Sequence, residues 1–178
     1  MYSVTQLHEA GVKFEVVSSE SLLDIKFEKG VLKIPRIGLE DCAELFARNV
    51  MALEQTHYPE NGYVTDYFWL LDLLINTEKD VDLLCEKKVM GNYLGDNDAA
   101  KSMINNLNKG ILWVNVRSDY HDLCENLKSF YNNPWHKWKT TLRRQYFSNP
   151  WRTAATFAAI ILLLLTLVQT VCTIIQVV

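Results

Sequence analysis

The sequence is defined first by what it has little of. Seven Gly and four Pro in 178 residues exclude collagen-like and low-complexity chains. Four Cys in that length are ordinary usage and carry no disulfide framework. The N-terminus, Met1 to Ala10, lacks the apolar run of a signal peptide, and no Asn opens an N-x-Ser/Thr glycosylation sequon. No Gly-rich phosphate loop occurs, since Gly91, Gly95 and Gly110 do not approach its spacing. From Asn126 onward there is no Asp or Glu.

What is present is unevenly distributed. The net charge of -3 averages an acidic body, which holds all 21 acidic residues, with a basic stretch carrying Lys128, Lys137, Lys139, Arg143, Arg144 and Arg152. With 49% hydrophobic residues the chain has material for one packed domain. Three segments are expected: a body over 1–125, a basic aromatic neck over 126–152, and an apolar helix over 153–178.

The last segment, Thr153 to Val178, has no charge, Gly or Pro. As a helix it would be roughly 39 Å long, against a hydrocarbon core of about 30 Å, so it reads as a single C-terminal transmembrane helix. Trp135, Trp138, Tyr146, Phe147 and Trp151 crowd its approach, as headgroup-level side chains do. The positive-inside rule then puts the body on the cytosolic side, with the plasma membrane the expected location. Lys137, Lys139, Arg143, Arg144 and Arg152, with Trp135, Trp138 and Trp151, are the expected lipid headgroup contacts, at about 1 kcal/mol per basic residue. Nucleic acid is the poorer partner, because the basic stripe belongs to an otherwise acidic chain. Ala155, Ala159, Thr166, Gln169, Thr170 and Thr173 share one helical stripe, a candidate face for self-association in a membrane.

In the body, Leu23, Ile25 and Phe27 alternate with charged residues, as do Leu32 and Ile34 beyond Lys29-Gly30. That is a β-hairpin with Phe27 opposite Leu32, and Val12, Phe14 and Val16 offer a third strand, making a small hairpin or three-strand meander. Thereafter the period is helical. Asp41–Thr56 puts Leu45, Phe46, Asn49, Val50 and Leu53 on one stripe, expected to face inward with Asp41 as N-cap. Residues 63–75 read as a core helix, too short to span a membrane. Thr77 and Asp80 form a capping box ahead of Val81, Leu84 and Cys85. Met103, Ile104 and Leu107 mark another helix, and a last one starts near Asp119. The expected fold is mainly α with a small N-terminal sheet.

These phrases resemble a known family. LLDIKFEKGVLKIP (22–35), FARN (46–49), LEQ (53–55), DLLINT (72–77), LGD (94–96) and WHKWKT (135–140), followed by Asn149, Pro150 and Trp151, are similar to the C-terminal half of the plant domain of unknown function 247 family, with its membrane anchor. The family's opening half has no counterpart here. The resemblance implies an anchored plant protein and transfers no enzymatic mechanism.

Candidate chemistry is sparse. His121 and Cys124 lie three apart on one helix, without a second pair to complete a metal site. Cys42 and His57 would make a nucleophile and base only if the fold joined them. Asp24, Glu28, Asp66 and Asp72 are expected on solvent faces. No cofactor is implied. The preferred expectation is a non-enzymatic interaction or signalling module with an unidentified protein partner. The alternative is a membrane-tethered hydrolase whose site a missing half completes, and a pocket gathering Cys42, His57 or His121 with a carboxylate would favour it.

Overall fold

The computed structural model describes residues 1–19, 21–111, 116, 118–133 and 150–177, without the side chains of 150–153, 156 and 174–177. It divides into two compact units, Met1–His136 and Lys137–Val178. In the first, chain order is α1 (Val4–Glu9), β1 (Lys13–Val17), β2 (Lys26–Glu28), β3 (Val31–Pro35), β4 (Ile37–Leu39), α2 (Ala43–His57), α3 (Tyr63–Leu74), α4 (Glu78–Glu86), β5 (Met90–Asn92), α5 (Asn97–Leu107) and α6 (Ser118–Asn132).

The hairpin forms where alternation placed it. Lys29 and Gly30 both have positive φ, at 52° and 80°, the conformation of a two-residue turn whose twist suits the flanking strands. Phe27 pairs with Leu32 and Lys26 with Lys33. The third strand is real, but the sheet is not a meander. β1 pairs parallel with β3, Phe14 opposite Leu32 and Val16 opposite Ile34, giving the order β1-β3-β2. The chain between β1 and β3, residues 18–30 with β2 inside it, is long enough for the crossover that a parallel neighbour needs. β3 is therefore central, and Leu32 and Ile34 are buried. A second sheet, β4 with β5, was not expected. It pairs Gly38 with Gly91 in parallel, and the ring of Tyr93 lies over both glycines, so that a Cβ on Gly91 would come within 2.9 Å of Tyr93 Cε2.

The helices close over the sheet by burying aliphatic side chains in one core. Leu70, Leu71 and Leu74 of α3, Ile104 and Leu107 of α5, and Leu123 and Leu127 of α6 join Leu32 and Ile34 there. The capping box of α4 is present: Thr77 N donates to Asp80 Oδ2 over 2.8 Å. Asp80, fully buried, also accepts from Thr5 N at 2.7 Å and Thr5 Oγ1 at 2.6 Å, which ties α1 to α4. α6 seals the hairpin. Phe130 meets Phe27 edge to face with ring centroids 5.5 Å apart, and the Tyr120 hydroxyl donates to the Leu23 carbonyl over 2.8 Å. Residues 126–132, expected in the neck, are thus part of a helix packed on the body.

The described residues of the second unit form α7 (Pro150–Val177), with Pro150 at its first position, where a missing N–H costs nothing. The expected transmembrane helix is corrected: among the described residues, no helix is long and apolar enough to cross a membrane. Thr166, Gln169, Thr170 and Thr173 interrupt the apolar character of α7.

Candidate interaction surface on helix α2

Of the expected inward stripe of α2, Leu45, Phe46, Asn49 and Leu53 face outward and Val50 is half-buried. Leu45 is 65%, Phe46 69% and Leu53 50% exposed, whereas the buried side is made by the smaller Ala47, by Met51 and by Glu54. The helix starts at Ala43 rather than Asp41, with Cys42 at the cap position and no side-chain cap.

Glu54 supplies the physical reason. α3 begins at Tyr63 with unsatisfied N–H groups in its first turn. Glu54 reaches across from α2 to take them: Val64 N donates to Oε1 over 2.8 Å, Thr65 N to Oε2 over 2.9 Å, and Thr65 Oγ1 to Oε2 over 2.7 Å. A buried carboxylate with three donors sits where the helix dipole favours negative charge. It fixes the rotation of α2, because releasing it would orphan a charge and two amides at once. At about 100° per residue Leu45 then lies opposite Glu54, Asn49 about 140° from it, and Leu53 and Phe46 about 100° and 80° from it on one flank.

The outward stripe runs through Cys42, Leu45, Phe46, Asn49, Leu53 and Thr56 and bears no charge. To one side, Arg48 and Glu44 neutralise each other over 2.9 Å. Beyond the C-terminal end, Tyr58 and Tyr63 are also exposed. Scattered exposed apolar residues are normal, but a two-turn stripe of them on one helix is the pattern of a contact surface.

The catalytic candidates do not converge. Cys42 and His57 occupy opposite ends of α2, roughly 22 Å apart along its axis. His57 Nδ1 lies 2.7 Å from the hydroxyl of its neighbour Thr56. On α6, His121 is exposed while Cys124 is half-buried, and burial pushes the Cys124 thiol up to about 11. Burial raises the Cys85 thiol as well. Both shifts disfavour the thiolate that a nucleophile or metal ligand requires. Among the described residues, no group of three or more His, Cys, Asp or Glu could hold a metal ion.

The carboxylates divide. Asp24 and Glu28 do lie on the surface in ion pairs, with Lys26 at 2.7 Å and Lys33 at 3.0 Å. Asp66 does not face solvent but is 3% exposed in α3. Asp72 is half-buried, and loss of hydration raises its pKa.

The expected lipid contacts Trp135, Lys137, Trp138, Lys139, Arg143 and Arg144 lie outside the described residues, as do the side chains of Trp151 and Arg152. Ala155, Ala159, Thr166, Gln169, Thr170 and Thr173 lie on α7 and are exposed. The hydroxyls of Thr166, Thr170 and Thr173 donate to carbonyls one turn back, at 2.8, 3.0 and 2.8 Å. A second helix would have to compete with those bonds for them.

Comparison with known proteins places these features in a family. Residues 1–165 match DUF247, described as plant protein of unknown function. Two similar proteins come from Arabidopsis thaliana. The UPF0481 protein At3g47200 is 25% identical over 174 residues, covering 94% of this chain and 36% of its own length. The putative UPF0481 protein At3g02645 is 29% identical over 169 residues, covering 94% and 32%. The chain therefore spans about a third of the length of the curated relatives it matches. No solved structure is significantly similar to it.

Proposed function

The chain belongs to the plant DUF247 family, whose function is unknown, and we propose that it acts there as a non-enzymatic protein-interaction module. The observation that carries this reading is the α2 stripe, where Leu45, Phe46 and Leu53 stand at least half exposed while Glu54 holds the opposite side inward. A helix locked with its larger apolar side chains outward has a face suited to another macromolecule. The fold separates Cys42 from His57 along α2, and burial raises the thiols of Cys85 and Cys124, so these cysteines do not support the hydrolase alternative.

The test is proximity labelling in plant cells from the full chain, compared with Phe46→Asp and Leu53→Asp. Both positions are exposed, so the variants should keep the wild-type circular dichroism spectrum. The reading expects the wild type to label a defined protein set that the variants lose. Identical label sets from all three chains would overturn it.

A further inference from the structure

We infer that the outward face of α2 is the docking surface for a further length of DUF247-type polypeptide, corresponding to the part of the relatives that lies outside their match to this chain. The inference rests on the interaction-module reading above and names its partner. Two observations point to this occupant. First, nearly all of this chain aligns with only 36% and 32% of the two relatives, so in them the same unit sits beside about twice its own length of additional polypeptide. Second, the face has the chemistry of a cut core rather than of a solvated surface. Leu45, Phe46 and Leu53 surround Asn49 with no charge among them, and the flanking charges Arg48 and Glu44 are paired with each other.

The dimensions suit one crossing element. From Leu45 to Leu53 the stripe rises roughly 12 Å, about two helical turns, which is the length one helix covers when its side chains pack into the grooves of another. The partner segment should therefore be an amphipathic helix with an aliphatic or aromatic face and no charge at its centre. A charged partner would lose its hydration against Phe46 and Leu53 with nothing in the stripe to replace it.

The experiment co-expresses the full chain with the portion of At3g47200 outside the matched region, so that the two can fold together, and measures co-purification and complex mass by light scattering. A one-to-one complex is expected. Phe46→Asp and Leu53→Asp should each lower recovery at least tenfold, while Val16→Asp, an exposed position on β1, should leave it unchanged. Absence of the complex, or recovery equal in all variants, overturns the inference. So does a dimer of the chain alone that the α2 variants abolish, because the occupant would then be a second copy. If the complex fails while proximity labelling still depends on Phe46 and Leu53, the partner assignment falls and the interaction reading stands. If both fail, both fall.

Discussion

Replacing Glu54 with Ala removes one side chain and three hydrogen bonds. Val64 N, Thr65 N and Thr65 Oγ1 all lose their acceptor, at a site where Glu54 is 8% and Thr65 5% exposed. Hydrogen bonds to a charged group contribute about 1.5–3 kcal/mol each, and the three share one acceptor, so they do not add in full. Because α3 carries Leu70, Leu71 and Leu74 into the core, fraying of its first turn is felt by the whole unit. The expected loss is about 3–4 kcal/mol, a large fraction of the roughly 5–15 kcal/mol that holds a domain together. Urea unfolding of the full chain, followed by circular dichroism, reads it as a lower midpoint. Glu54→Gln, which keeps the shape and one acceptor, should lose about half as much. Glu44→Ala on the same helix removes only an exposed pair with Arg48 and should stay within about 0.5 kcal/mol. If Glu54→Ala costs less than about 1 kcal/mol, Glu54 does not set the rotation of α2, and the outward stripe needs another cause.

Three further outcomes follow from the same packing. Burial opposes ionisation of Asp80, but hydrogen bonds from Thr5, Thr77 and Ser3 outweigh it and hold the carboxyl below its ordinary 3.8. Its folded pKa lies below the unfolded one, so its contribution is present above about pH 4 and lost as pH falls through the folded value. Asp80→Asn should therefore be less stable at neutral pH, with a flatter acid-side profile in pH-dependent urea unfolding. Gly30→Ala should cost about 1–2 kcal/mol in the same assay, because φ is 80° there and the new Cβ would sit 3.1 Å from Phe130 Cε2. In native protein at about pH 8, iodoacetamide should modify exposed Cys42 well before Cys124, whose thiol is pushed up to about 11, and peptide mass spectrometry checks the order.

Much of the fold was legible because its signals are local. The alternation on either side of Lys29-Gly30 fixed the hairpin register, since turn and pleat leave one pairing that buries one face. Thr77 and Asp80 announced the start of α4 for the same reason, as cap and partner are three residues apart. The parallel placement of β1 was not legible, because it depends on a crossover and not on any neighbour in sequence. The rotation of α2 was missed for a sharper reason. Hydrophobic periodicity counts Glu54 as a solvent residue and Leu45, Phe46 and Leu53 as core, whereas the carboxylate has its partners ten and eleven residues away at the start of another helix. Once that bond forms, the apolar stripe points outward. The apolar C-terminal run showed the opposite weakness of pattern reading. Composition predicted a helix, which forms as α7, but by itself did not establish a span.

The most direct measurement replaces Asn49, at the centre of the α2 stripe, with a photo-crosslinking amino acid in the full chain expressed in plant cells, with the same substitution at exposed Val16 on β1 as reference. On illumination, position 49 should form discrete protein adducts that disappear when Phe46→Asp is added, and position 16 should not form them. Equal adducts at both positions, or none at 49, would contradict a docking role for this helix.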